Sequence, residues 1–384
     1  MTFETHFISE LIDEISMGPF GSNIKVECFV DEGIPVLNGS NLEGYELKED
    51  SFRYVTEEKA DSLNKANAYR GDVVITHRGT LGQIVFIPQT SKYDRYVISQ
   101  SQFRIRCNDK ILPEYMVYYF HTRIGQHKLL SNASQVGVPA LARPSTTFQK
   151  IDIEIPDITT QRRIVAVLQR IHDKIAVNTA INENLESQAQ ALYNKFFSPK
   201  SNSTGTIKTL DMYCSIFTGK KNANAAIDNG SYKFFTCSPD ALKIDSYIYD
   251  GNAIIISGNG AYTGRTRFYS GKFDLYQRTY ACTILSELNP DYIYPLYWFV
   301  KFELSQKIMG GTRGSAIPYI VMNDLAKFEF VFNEDLFNQY MIMFKNITLA
   351  IQQNEFENEK LALLRDTLLP KLMNGEIDVS AVRI

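Results

Sequence analysis

The sequence is poor in the groups that usually do chemistry at a site. Its five cysteines (Cys28, Cys107, Cys214, Cys237, Cys282) are scattered without a Cys-x-x-Cys pair. That excludes a disulfide framework and a zinc site and points to a reducing, intracellular compartment. The five histidines (His6, His77, His121, His127, His172) show no metal-ligand spacing, and His172, next to the apolar helix position Ile171, is expected to face solvent or a partner. No run of 18 uncharged apolar residues occurs, so no membrane span is expected. The first 14 residues carry Glu4, His6, Glu10, Asp13 and Glu14, the wrong pattern for a signal peptide. There is no excess of basic charge either: 40 Lys+Arg stand against 43 Asp+Glu in 384 residues. An apolar content of 44% excludes disorder and collagen, and the length calls for two or three domains.

Signatures of catalysis are equally scarce. Thr218-Gly219-Lys220-Lys221 resembles the end of a phosphate loop, but Cys214 replaces the first glycine and Lys221 the Ser/Thr. Asn289-Pro290-Asp291-Tyr292 approaches an amino-methyltransferase motif but lacks its second proline. Gly258-Asn259-Gly260 lacks a dinucleotide-binding frame, and no Ser/His/Asp constellation can be located. No catalytic role is expected of this chain.

What the sequence has is an internal duplication. Asp72-Val73-Val74-Ile75-Thr76 runs into a turn with Gly79 and Gly82, and Asn252-Ala253-Ile254-Ile255-Ile256-Ser257 runs into Gly258, Gly260 and Gly264. Both are buried-strand patterns entering loops of free φ. Strand-like runs follow at 100–106 and 277–285, and then Pro113-Glu114 and Pro290-Asp291 open aromatic helices containing Tyr118-Tyr119-Phe120 and Tyr297-Trp298-Phe299. Val138-Pro139-Ala140-Leu141 then matches Ile317-Pro318-Tyr319-Ile320.

Each copy ends in a long helical segment with five heptads. Ile164, Ile171, Asn178, Leu185 and Leu192 take a positions, with Leu168, Ile175, Asn182, Ala189 and Phe196 at d. In the second copy a is Tyr340, Ile347, Asn354, Leu361 and Leu368, and d is Phe344, Ile351, Asn358, Arg365 and Leu372. Asn178, Asn182, Asn354 and Asn358 are polar seam residues, which cost stability and fix register. Connectivity favours an antiparallel pair, with the two globular parts at opposite ends and related by a pseudo-two-fold axis. The expected architecture is α/β (α+β): domains at 1–156 and 201–334, a first long coiled-coil helix with linker at 157–200, and a second with the C-terminal tail at 335–384.

The small net charge hides a local division. Residues 1–69 hold 14 acidic and 5 basic side chains, whereas 70–155 hold 6 acidic and 11 basic. There Arg78, Arg95, Arg104, Arg106, Lys110, Arg123, Lys128, Arg143 and Lys150 interleave with Ser, Thr, Gln and Asn. Arg265, Arg267, Lys272, Arg278, Lys301, Lys307 and Arg313 repeat the pattern in the second copy. Arg and Lys read guanine and Gln and Asn adenine, while Ser, Thr and backbone N–H groups hold phosphate.

With these residues in view the whole chain resembles the DNA specificity (S) subunits of type I restriction-modification systems. The resemblance rests on the duplicated plan and on Gly71 to Thr76 with Arg78-Gly79 and Gly82. It also rests on Ile155-Pro156 ahead of Gln161-Arg162-Arg163-Ile164, on Gln188 to Phe197, and above all on Leu369-Pro370-Lys371-Leu372-Met373-Asn374-Gly375-Glu376-Ile377. The second copy has Phe337-Asn338-Gln339 where the first has Gln161-Arg162-Arg163.

The resemblance implies two target-recognition domains, each reading one half of a bipartite, asymmetric double-stranded DNA target. The helix pair would serve as spacer ruler and as dock for two methyltransferase subunits, through which restriction/motor subunits join. No cofactor is implied on this chain, with S-adenosylmethionine on the methyltransferase and ATP and magnesium on the motor subunit, in the cytoplasm of a prokaryote. Candidate DNA contacts in the first domain are Lys25, Asn38, Ser40 and Asn41, then Thr76, His77, Arg78 and Thr80, then Ser99, Gln100, Ser134, Gln135 and Arg143. In the second they are Thr218, Lys220, Lys221, Ser257, Asn259 and Arg265, then Gln277, Arg278, Thr312, Arg313 and Ser315. The rival reading is a coiled-coil scaffold whose heads bind proteins instead of DNA.

Overall fold

The computed structural model describes residues 2–19, 23–134, 137–199, 201, 205–309 and 319–382, apart from the side chains at 305, 306, 308 and 309. The chain divides into two compact units, Met1–Asp173 with Leu361–Ile384, and Lys174–Lys360.

In the first unit, the apolar strand Asp72–Thr76 is buried along its whole length. It lies inside an antiparallel sheet ordered Ile12–Met17, Gln102–Cys107, Asp72–Thr76, Ile84–Phe86. A second sheet follows the order Arg53–Val55, Ile34–Val36, Arg95–Val97, Asn67–Tyr69. The strand Phe3–Phe7 pairs with Asp152–Pro156, closing the domain's two ends on each other. Helix Pro113–His121 starts with Pro113 in its first turn and buries Tyr115, Met116, Val117, Tyr118, Tyr119 and Phe120, as a helix apolar all round must.

In the second unit one six-stranded sheet runs Cys214–Thr218, Thr279–Ile284, Tyr249–Ser257, Thr266–Leu275, Tyr232–Phe235, Leu242–Ile244. The pair Thr206–Thr209 with Glu329–Phe332 repeats the closing pair of the first unit. The aromatic helix Ile293–Met309 follows a turn that Asn289 caps through the Asp291 N–H. The duplication is thus structural, although strands continuous in one copy are broken in the other. The ten-residue strand Thr266–Leu275 corresponds to two short strands in the first unit, Ile84–Phe86 and Arg95–Val97. The strand Tyr249–Ser257 corresponds to Asn67–Tyr69 plus Asp72–Thr76. Gly71, at φ +86°, and Pro88 lie at the two breaks, so a ladder continuous in one copy is two sheets in the other.

The long helices are Ile158–Phe196 and Glu334–Met373, each about 58–60 Å at 1.5 Å per residue. Asp157 accepts from the N–H groups of Thr159 and Thr160, and Asn333 from that of Leu336, so each helix opens on an acceptor cap. Within each unit the helices pair antiparallel. In the first, Ile164 and Leu168 share a core with Leu369 and Leu372. In the second, Phe196 stacks on Tyr340 with ring centroids 4.4 Å apart. There Asn178 donates to the Asn358 side chain at 2.9 Å and to Glu357 at 2.8 Å, and Asn354 donates to Asn182 at 2.8 Å. These bonds from Asn178, with Lys174 beside them, hold the Glu357 carboxyl below the usual range.

The expectation for His172 needs correction, and the structure adds a setting for Arg365 and for the C-terminal run. Arg365, placed at d, does not fill the seam like an apolar residue; its guanidinium lies over the Tyr45 ring at 5.4 Å and pairs with Asp366. His172 is half-buried instead of facing solvent. Its ring meets Tyr45 and Tyr118, and burial, reinforced by Arg365, pushes its pKa down to about 4. The signature run Leu369 to Ile377 is a packing element of the first unit, where Leu369, Leu372 and Met373 are buried and a Cβ on Gly375 would lie 2.7 Å from the Phe3 ring.

Candidate nucleic-acid interface

Strand register decides which loops meet. Met17 pairs with Phe103, Thr76 with Gln102 and Ile75 with Ile84, so the segments beginning at Gly18, 77–83 and 98–101 emerge at one end of the first sheet. A bridge between Arg78 and Ala140, with the Leu141 N–H donating to the His77 carbonyl at 2.9 Å, adds the segment at 133–143. Gly18 is required there, because a Cβ would lie 1.9 Å from the Ser99 carbonyl oxygen. From this end Ser40, Arg78, Thr80, Gln100, Ser134 and Arg143 are exposed, and Lys25 is exposed beside the segment that packs on the second sheet. Arg78 and Arg143 have no carboxylate partner among the described residues.

The second domain builds the same end with the same backbone bonds. The Gly258 N–H donates to the Arg278 carbonyl at 2.9 Å, as the His77 N–H does to the Ser101 carbonyl at 2.8 Å. The Ile320 N–H donates to the Gly258 carbonyl at 2.8 Å, and Asn259 bridges to Tyr319. Gly219 stands where Gly18 does, with a hypothetical Cβ 1.7 Å from the Leu275 carbonyl oxygen. Lys220, Arg265, Gln277 and Arg278 are exposed, and the Arg265 guanidinium lies 5.4 Å from the Tyr262 ring centroid.

Several candidates belong to the scaffold instead. Asn41 is fully buried and bonds the Asn38 N–H and the carbonyls of Lys48 and Asp50. Thr76 and Ser257 are buried strand ends, Thr76 donating to Gln83. Thr218 donates to the Gln277 and Thr279 carbonyls, and Lys221 forms an ion pair with buried Asp274 at 2.7 Å. Asn38 caps the turn Gly39–Leu42 through the Ser40 N–H. Ser99 is half-buried, its N–H held by Gln102. Asn259 is half-buried, and so is His77, whose pKa burial pushes down, leaving it neutral near pH 7. Gln135, Thr312, Arg313 and Ser315 lie outside the described residues.

Much of the basic excess at 70–155 is neutralised in place. Arg104 meets Glu14 at 2.8 Å and Asp72 at 3.3 Å, and Arg106 meets Asp72 at 3.0 Å. Arg95 pairs with Asp61 and Lys128 with Asp152. Burial raises the Asp72 pKa against the pull of both guanidiniums. Among the described residues no three His, Cys, Asp or Glu converge as a metal site needs, and no helix is long and apolar enough to cross a membrane. The charge pattern overlooked Gln83, Gln102 and Gln126, whose amides tie the first domain's loops; single glutamines beside glycines carry no periodic signal.

The type I restriction modification DNA specificity domain profile matches residues 24–187. The EcoDI specificity subunit of Escherichia coli is 31% identical over 167 residues, which are 42% of this chain and 36% of that protein. This chain therefore covers about a third of that relative's length. Over this first half the chain is similar to specificity subunits of type I restriction-modification systems. The MjaIX specificity subunit of Methanocaldococcus jannaschii is 22% identical over 96% of this chain and 92% of its own length. The crystal structure of a type I S subunit from M. genitalium shares the fold over 97% of this chain and 96% of that one, with a TM-score of 0.64 at 14% identity.

Proposed function

We propose that this chain is the DNA-reading subunit of a type I restriction-modification complex, each recognition domain reading one half of a bipartite, asymmetric target. The observation that carries this reading is the recurrence of one exposed loop end, held by the same backbone bonds, with arginines that have no carboxylate partner among the described residues on both copies: Arg78 and Arg143 in one, Arg265 and Arg278 in the other. Arginine without a carboxylate partner is suited to guanine edges and phosphates.

The long helices serve as the ruler for the unread spacer and as the dock for two methyltransferase subunits. Exposed apolar side chains along them support the docking role, among them Val177 and Ile181 on the first helix and Ile342, Met343, Phe356 and Leu363 on the second. In the cytoplasm of a prokaryote, S-adenosylmethionine would be held by the methyltransferase subunits and ATP with magnesium by the restriction/motor subunits. This chain supplies no reacting group; it chooses where the others act.

Sequencing methylated bases in a host that carries this subunit tests the proposal, the expected outcome being one bipartite motif with a fixed gap. In vitro, affinity of the complex for its duplex should fall steeply with log[salt]. Binding by the full complex that ignores sequence would overturn the reading.

A further inference from the structure

Three glutamine side chains tie together the exposed end of the first recognition domain. Gln83 accepts from the Thr76 hydroxyl at 3.1 Å and donates to the Gly39 carbonyl at 3.0 Å. Gln102, fully buried, accepts from the Ser99 N–H at 2.9 Å and donates to the Asn38 carbonyl at 3.3 Å. Gln126 donates to the Gly82 carbonyl at 2.9 Å and the Phe120 carbonyl at 2.8 Å. A carbonyl only accepts, so each amide nitrogen must face its carbonyl, and the orientation of all three side chains follows.

Two of these bonds end on consecutive carbonyls, Asn38 and Gly39, where the turn Gly39–Leu42 begins. That turn bears exposed Ser40, and the loop anchored by Thr76 and Gln83 bears exposed Arg78. In the second domain the matching positions hold Arg265 and Thr279: the Ser257 N–H bonds the Arg265 carbonyl as the Thr76 N–H bonds that of Gln83, and Ser257 registers with Thr279 as Thr76 does with Gln102. Arg265 lies over Tyr262, and the Thr279 hydroxyl lies 3.7 Å from the Cys237 sulfur. Neither side chain ties a turn like Gly39–Leu42 to the sheet.

We propose that Gln83 and Gln102 are positioning residues for base reading by the first recognition domain alone. They clasp the Gly39–Leu42 turn to the glycine-rich loop, so that Ser40 and Arg78 meet DNA as one preorganised surface and less ordering remains to be done on binding. The inference rests on the DNA-reading proposal above.

The test uses the full chain assembled with its methyltransferase subunits and duplexes carrying single-base changes in either half-site. Gln83→Ala should reduce discrimination in the first half-site roughly three- to tenfold, the worth of one or two neutral hydrogen bonds, and leave the second half-site and the salt slope unchanged. Gln83→Glu keeps the size and the acceptor for Thr76 but sets a carboxylate against the Gly39 carbonyl. It should lose at least as much as Gln83→Ala, whereas a packing role would spare it. Gln102→Glu removes the other donor and should act on the same half-site. Wild-type discrimination in Gln83→Glu, or equal losses at both half-sites, would overturn the clasp. Failure of the wild-type complex to discriminate any sequence would instead overturn the DNA-reading proposal itself.

Discussion

The two domains solve the same problems with matching backbone bonds and different side chains. Both place a buried aspartate in the sheet, but Asp72 gathers Arg104, Arg106 and the Tyr69 N–H, whereas Asp274 takes Lys221 and Ser246. Both anchor the aromatic helix on a long helix. In the first, Tyr118 packs on His172 and bonds Gln169; in the second, Trp298 donates its indole N–H to Thr348 at 2.9 Å. What is preserved is hydrogen bonding between backbone groups, which any residue can supply, as at His77 and Gly258. Side-chain solutions are free to diverge once the backbone frame is kept, and the proposed reading of two unlike half-sites would use that freedom at the loops.

The largest expected effect falls on the aspartates. Asp72→Ala leaves two arginines without their buried partner, one of them almost wholly buried. It should cost the first domain about 3–5 kcal/mol in chemical denaturation while the second domain's transition stays in place. A single merged transition shifting as a whole would break the comparison by showing the domains to be one cooperative unit. A pH difference should come next. His172 titrates near 4 in the folded chain, below its ordinary 6.5, so the unfolded chain takes the proton first. This contribution is full above about pH 6.5, is lost as pH falls from there towards 4, and is constant below. It amounts to about 2 kcal/mol between pH 7.5 and 5, partly damped by residual solvent access. A His172→Leu variant should lack that slope. Thr348, the matching residue in the second domain, has no group that titrates in this range.

Binding gives the third contrast. Arg78→Ala should weaken discrimination in one half-site and Arg278→Ala in the other, by about 1–3 kcal/mol for a base contact, read by competition between duplexes. A uniform loss with a salt slope shallower by about one would instead assign that arginine to phosphate. The smallest effects belong to the exposed pairs Lys128–Asp152 and Lys233–Glu359. Lys128→Ala and Lys233→Ala should each change stability by less than about 1 kcal/mol in thermal melts, and larger values would show that these pairs are more than surface contacts.

The duplication, the strands entering the glycine turns, the proline-started aromatic helices and the asparagine seam were all legible in the sequence, because each is written as spacing along the chain. Even the antiparallel direction followed from connectivity. Less of the interface could be read. Arg78 and Arg104 look alike in a string of basic residues, yet one is exposed and the other is locked between Glu14 and Asp72. Ser40 and Asn41 are neighbours in one candidate loop, and only the second is turned inward to hold the backbone. His172 sits next to a seam position, where helix periodicity leaves its burial to whatever packs against that face; Tyr45 and Tyr118 decided it.

Sequence alone therefore determined the order of elements and the existence of two copies, since periodicity and turn residues act over a few positions and repeat wherever the segment repeats. Only the tertiary structure decided which charges are neutralised and which arginines, among the described residues, have no carboxylate partner. It also decided which glutamines join loops 40 or more residues apart. Those outcomes depend on groups brought together by register and burial, and electrostatic and hydrogen-bond energies answer to distance in space rather than along the chain.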